Sequence, residues 1–403
     1  MVFQPFTGGG GTRAEMDFCF DSGMFRRDSR SYCGGLAYIS ALACAACYNA
    51  RYENEEEWAY ELERRYGGSG FLGLGGKQTW IVAFLKQLGF ENVETYNYHS
   101  GLEPKKASVH TAFAIASRDI DDFTVIAVCV RGTTGGEWLS NFDMDKKRKR
   151  LTGFVFARDE LMTALESYIE RKVRKGRRLK LWATGHSRGG AAANLLCGAL
   201  NREGGVFHPS DIYCVTFASP NCSFKAEPFE NIYNFVAPSD FVTFVPPREW
   251  GCSRYGLDIA INKKERPVTY RRSLDYYSAI TGRPFEGFSG PPLEDKPVRT
   301  FVEEFARKAP SMDVYIDGDG KTSNTCKRFF DSVAEVLSGG DAFDAMNFLN
   351  SGGLDKSYLA MKMFCVAFGG INPCILAEHS PEAYIARVMA VNQTLKLQSP
   401  AAR

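Results

Sequence analysis

Between Leu179 and Leu200 the chain reads LKLWATGHSRGGAAANLLCGAL. LKLWAT is short, apolar and bounded by charge, which suits a buried parallel strand. GGAAANLLCGAL holds small and apolar residues without proline over three turns, which suits a buried helix. Between the two lies Gly185-His186-Ser187-Arg188-Gly189, a G-x-S-x-G pattern. A strand that turns straight into a helix there lifts the serine above the sheet edge, its Oγ near the helix N-terminus. The glycines permit the tight turn and the close approach of helix to strand, where a Cβ would clash. The pattern alone recurs by chance; its strand–turn–helix setting makes Ser187 a candidate nucleophile.

A serine nucleophile needs a base, and the base needs an acid to orient it. The sequence has five histidines, at 99, 110, 186, 208 and 379. With nucleophile, acid and base in that chain order, His208 comes too early, between the serine's helix and the next strand. His379 is left by elimination. Its surroundings, AEHSPEAYIARVMAV, place it in a loop before a helix, although a lone histidine also serves as a solvated or packing residue. The acid should follow a later strand, and NIYNFVAPSD delivers Asp240 there. An aspartate at that point also suits a turn in which it accepts from backbone amides. Glu249 and Asp258 lie further on, without a strand to aim them. For the oxyanion hole the N–H of Arg188 is the first donor. The loop VCVRGTTGGEWLSNFD offers a second in Thr133, through backbone N–H and hydroxyl.

Strand-like segments at Thr111–Arg118, Phe123–Gly132, Ile212–Pro220 and Asn231–Asp240 alternate with helical stretches, including ARDELMTALESYIERKVRK. This alternation predicts a mostly parallel sheet with helices on both faces. Residues 1–16 read as a glycine-rich disordered lead-in, and 32–90 as helical. The core spans 17–250, the alternation stops near Gly251, and 251–373 reads as a helix-rich insertion, a possible cap. Residues 374–403 return to the core with His379.

The formal net charge of +2 argues against a nucleic-acid partner. The start of the chain lacks the basic and apolar runs of a signal peptide, and Leu36–Tyr48 is too short to span a bilayer. The twelve cysteines are scattered, several within core segments, as expected of reduced thiols in a cytoplasmic protein. Cys44 and Cys47 form a C-x-x-C that no second pair or nearby histidine completes, so no metal is expected. GSGFLG at Gly68–Gly73 follows a helical pattern rather than a strand, so it is not a dinucleotide loop, and no cofactor is implied.

Taken together, FTVIAVCVRGTT with EWLSNFD, GHSRGGAAANLL, VTFASP and NFVAPSDFVTFVPP resemble the class 3 (fungal-type) lipase family. The resemblance is closer still to its bacterial intracellular branch, the Mbeg1-like proteins, and covers about a third of the chain. It implies an α/β-hydrolase fold: a mostly parallel central sheet, helices on both faces and a helical insertion. It further implies that Thr133 takes the oxyanion-threonine place, that Thr134–Asn141 form a lid, and that Trp138 is the lid tryptophan. Thr152 stands where the family often has histidine, and Asp240 and His379 are unusually far apart.

The expected activity is hydrolysis of a carboxylic ester, lipid-like, through an acyl-enzyme. An amidase, thioesterase or acyltransferase would use the same residues, and a non-catalytic binding protein could retain the frame. Arg188, a cation at a helix N-terminus, opposes the helix dipole and calls for compensation by an acidic neighbour or an anionic substrate group. The runs KKRKR (Lys146–Arg150) and RKVRKGRRLK (Arg171–Lys180) suit transient contact with an anionic membrane surface. They equally suit solvated loop and helix ends. The oligomeric state leaves no mark in the sequence.

Overall fold

The computed structural model describes residues 2–3, 14–16, 18, 20–48, 80–98, 111–132, 144–145, 150–261, 267–282, 284–285, 303 and 378–398. Its centre is a seven-stranded sheet: β1 (Glu91–Tyr96), β2 (Phe113–Ile120), β3 (Phe123–Val130), β4 (Arg178–His186), β5 (Ile212–Phe217), β6 (Ile232–Val236) and β7 (Leu257–Ala260). In space the order is β7-β6-β5-β4-β3-β2-β1. β3 to β7 run parallel, whereas β2 and β1 are each antiparallel to their neighbour.

Side chains alternate across this sheet, and the two faces build separate cores. On one face Val125, Ala127, Cys129, Trp182, Val215 and Phe235 pack against α1 (Gly34–Cys47), α2 (Trp80–Gln87), α5 (Pro267–Thr281) and α6 (Pro381–Gln398). On the other, Ile126, Val128, Leu181, Ala183 and Cys214 meet α3 (Thr152–Lys172) and α4 (Arg188–Glu203). β3 and β5 are therefore buried at every position and largely apolar, as strands covered on both faces must be. Fully buried Trp182 ties α1 to the sheet, its indole N–H donating to Ser40 Oγ at 2.9 Å. This is a layered α/β arrangement, with helices on both faces of a mostly parallel sheet.

Register decides where chemistry can sit. Val130 pairs with Gly185, His186 with Phe217, and Phe217 with Phe235, so β3 to β6 end level with one another. The turns after those ends share one rim of the sheet, the usual place for a ligand site in a parallel sheet.

Two strands extend the expected sheet. β1 is an edge strand, mostly exposed or half-buried, and ENVETY shows no apolar alternation. β7, LDIA, continues the parallel sheet past Gly251, where alternation was expected to stop. Four residues carrying a charge are too short a signal to mark a strand. The helical segments expected within the insertion, from Arg299 to Phe368, lie outside the described residues, apart from Glu303.

All eight described cysteines are free thiols, and seven are buried. No helix among the described residues is long and apolar enough to cross a membrane, and no His/Cys/Asp/Glu group among them could hold a metal ion. The basic run from the last turn of α3 into β4 is largely engaged within the protein. Arg171 and Lys172 pair with Glu94, Arg178 and Lys180 with Asp211, and Arg177 donates to the carbonyls of Asp121 and Phe123.

Candidate active site

The turn from β4 into α4 is as tight as its glycines suggest. A Cβ on Gly185 would lie 2.2 Å from the Gly189 carbonyl oxygen, and one on Gly189 would lie 2.4 Å from that of Val130. Ser187 itself takes φ 57° and ψ −128°, a conformation that costs a non-glycine residue roughly 1–3 kcal/mol. Hydrogen bonds fix it there. Its N–H donates to the Phe217 carbonyl at 2.9 Å, and its carbonyl accepts from Ala191 N–H at 3.1 Å. Ser187 occupies the N-cap position of α4, yet its side chain makes no cap bond. Its hydroxyl is turned elsewhere.

It turns to His379. Ser187 Oγ lies 2.9 Å from His379 Nε2, and His379 Nδ1 lies 2.9 Å and 3.0 Å from the two carboxylate oxygens of Asp240. A carboxylate accepts, so Nδ1 carries the proton and Nε2 is left to accept from the serine. Asp240 is fully buried at the end of the β6 turn, where it caps a short 3-10 helix, Phe241–Phe244, by accepting from Val242 N–H at 3.0 Å. The turn role and the base-orienting geometry thus belong to the same carboxylate. His379 immediately precedes α6, whose start is set by Pro381 and by Ser380, the latter accepting from Ala383 N–H.

Three aromatic side chains frame this line. The Tyr384 hydroxyl donates to Asp240 Oδ2 at 2.6 Å and accepts from Ala237 N–H at 3.2 Å. Burial, and then the Asp240 charge, push its phenol well above the usual range. The His186 ring lies 4.8 Å, centroid to centroid, from that of His379, and its Nδ1 is 2.7 Å from the Tyr48 hydroxyl. Burial, and next the neighbouring His379, hold the His186 imidazole well below its ordinary value, so it is neutral. Tyr48 follows the end of α1, and burial raises its phenol well above the usual range.

Arg188 opens α4, with the positive end of the helix dipole directed at the rim. Its side chain is buried, as is that of Ser187 beside it. The end of β3 runs close beside the elbow: a Cβ on Gly132 would lie 2.1 Å from the Tyr48 hydroxyl and 2.7 Å from the His186 carbonyl. Thr133 is the next residue. Thr133, Thr134 and Trp138 lie outside the described residues.

Sequence reasoning passed over Tyr384, Tyr48 and the role of His186. The only available signal was position: Tyr384 sits one helical turn beyond the candidate base, and His186 flanks the candidate nucleophile.

Residues 125–250 match the class 3 lipase family. The matched segment holds the elbow and Asp240, whereas α1, Tyr48 and His379 lie outside it. Solved structures similar to this chain include a lipase from Rhizopus microsporus var. chinensis, 16% identical over 65% of this chain and 83% of that one, with a TM-score of 0.37. The native Rhizomucor miehei lipase propeptide complex is 15% identical over 65% and 78%, with a TM-score of 0.36. A nonglycosylated Yarrowia lipolytica lipase is 17% identical over 61% and 82%, with a TM-score of 0.35. No curated protein matches the chain.

Proposed function

We propose that this chain is a serine hydrolase of carboxylic esters, acting on lipid-like molecules, as the match of residues 125–250 to the class 3 lipase family supports. The observation that carries this reading is the continuous hydrogen-bonded line from Ser187 Oγ through His379 to buried Asp240. Ser187 attacks the acyl carbonyl while His379 Nε2 takes its proton. Asp240 keeps the Nδ1 proton in place and stabilises the imidazolium that forms. The tetrahedral oxyanion is met by the Arg188 N–H and by Thr133, with the α4 dipole favouring negative charge there. Collapse expels the alcohol, which leaves with the proton from His379, and a water molecule then hydrolyses the acyl-enzyme by the same steps in reverse. Neutral His186 suits this scheme, because a second cation against His379 would oppose the imidazolium.

The motif spellings that resemble the bacterial intracellular branch support an intracellular, cytoplasmic enzyme. Trp138, with Thr134, is proposed as part of a lid over the acyl cleft. On that view Trp138→Ala changes the ratio of long-chain to short-chain ester rates, and a Tm loss with the ratio unchanged rejects it.

The test is a panel of p-nitrophenyl esters from short to long acyl chains, with matched amides and thioesters. A fluorophosphonate label is applied alongside to the unsubstituted chain and to Ser187→Ala. Ester turnover and label confined to Ser187 are expected. An unlabelled, inactive chain would return the frame to a binding role.

A further inference from the structure

The residue before the acid and the residue before the base are bonded to each other, just as acid and base are. Ser239 Oγ donates to Glu378 Oε2 at 2.5 Å, in parallel with the contact of Asp240 and His379. Arg387, on α6, pairs with the Glu378 carboxylate, and its Nη1 donates to the Glu378 backbone carbonyl at 2.9 Å. The same guanidinium lies 5.3 Å from the centre of the Tyr384 ring, whose hydroxyl holds Asp240. Ser239, Glu378 and Arg387 are 2%, 0% and 3% exposed, which puts a complete ion pair inside the protein.

Buried ion pairs contribute little net stability, since desolvation of both charges offsets their attraction; apolar residues of similar size often hold as well. What an ion pair supplies that apolar packing does not is direction. Here one guanidinium grips both the side chain and the main chain of the residue next to His379. The ring is thereby aimed from behind, at the end of a segment that rejoins the rim after 139 residues. The charges also balance. Burial works against the Arg387 cation, but Glu378, Tyr384 and Asp240 raise its pKa above the ordinary value. With Glu378 neutralised by Arg387, Asp240 is left as the anion that faces the imidazole.

We infer that Glu378 and Arg387, joined to Ser239, are positioning residues for His379: they fix where its ring stands and cancel each other's field upon it. The inference rests on the serine-hydrolase reading. Other groups facing His379 are Ser187 and neutral His186 from the elbow, and Asp240 from the β6 turn. Tyr384 acts from α6 through Asp240, and the further buried acid on α6, Glu382, acts on Tyr48. None of these is altered by the substitutions below.

The experiment measures the rate at which a fluorophosphonate labels Ser187 in the full-length chain, against pH, with the melting temperature recorded alongside. Glu378→Gln leaves an uncompensated cation behind His379, and Arg387→Gln leaves an uncompensated anion. Each is expected to slow labelling by about ten- to a hundredfold, the effect of displacing a reacting group slightly. The acidic limb of the profile should move to lower pH in Glu378→Gln and to higher pH in Arg387→Gln. Arg387→Lys keeps the charge and should keep the limb in place, and it stands in should Arg387→Gln fail to fold. Ser239→Ala, the mildest change, should slow labelling without moving the limb. Movement of both limbs in one direction, or unchanged labelling in the folded variants, overturns the inference alone. No labelling of the unsubstituted chain overturns the hydrolase reading and this inference with it.

Discussion

The hydroxyl of Tyr384 stands 2.6 Å from Asp240 Oδ2, the same oxygen that lies 2.9 Å from His379 Nδ1. Two donors therefore converge on one buried carboxylate oxygen, and Val242 N–H serves the other. Tyr384→Phe removes one of the three and leaves the packing in place. The expected cost is about 1–3 kcal/mol of stability, for a hydrogen bond to a charged group. Ester kcat should fall, about tenfold at most, with KM unchanged, because the phenol acts on Asp240 rather than on substrate. Denaturant melts and steady-state kinetics on the same preparation check both halves.

Ser187→Ala and His379→Ala should each reduce ester kcat by at least about ten-thousandfold, and the double variant should be scarcely worse than either, because the residues act as one unit. Additive losses in the double variant would show that His379 acts independently of Ser187.

The glycines of the elbow should be intolerant for a steric reason that a distant glycine does not share. A methyl at Gly185 meets the backbone of Gly189 at 2.2 Å, whereas Gly176 has nothing within 4 Å but a φ of +82°. Gly185→Ala should therefore abolish folding or lower stability by more than about 4 kcal/mol. Gly176→Ala should cost about 1 kcal/mol, the penalty for a left-handed conformation alone. Thermal melts of the two variants separate crowding from conformational preference.

His186 gives the fold a pH dependence with a definite sign. Its imidazole is held neutral in the native state, with a value well below the ordinary 6.5. The unfolded chain binds the additional proton once pH falls below about 6.5, so native stability declines from there toward the depressed native value. The contribution to the slope is at most about 1.4 kcal/mol per pH unit. His186→Asn should flatten the fall in Tm between about pH 6.5 and 5, relative to the unsubstituted chain. An unchanged slope would show that His186 takes no part in it.

The sequence disclosed the parts of this site that rest on backbone patterns. An apolar run meeting a helix of small residues marked Ser187, and a strand running into Ala237-Pro238-Ser239-Asp240 marked Asp240. His379 emerged only because histidine is scarce. The rest was hidden by an ordinary rule of patterning. Glu382 and Arg387 on α6, with Glu378 just ahead of it, look like the solvated face of a surface helix, yet they are 1%, 3% and 0% exposed. Charge in a helix is read as exposure, and here tertiary pairing overrides that reading. β1 and β7 were missed for the converse reason: they are strands without a buried stripe.

The position of α6 has a bearing on when the protein can act during its own synthesis. α6 packs against α1, near the beginning of the chain, where Asn392 Nδ2 donates to the Gly34 carbonyl and Tyr32 donates to Asn392. A ribosome exposes Ser187, Asp240 and every described strand of the sheet before it exposes His379. Through that interval the nascent chain has a serine with no base beside it, and α1 waits without its partner helix. Joining residues more than 350 positions apart is slow, because loop closure must precede the contacts that reward it. On the serine-hydrolase reading, competence for catalysis thus follows emergence of the described sheet, and it coincides with sealing of the α1 face.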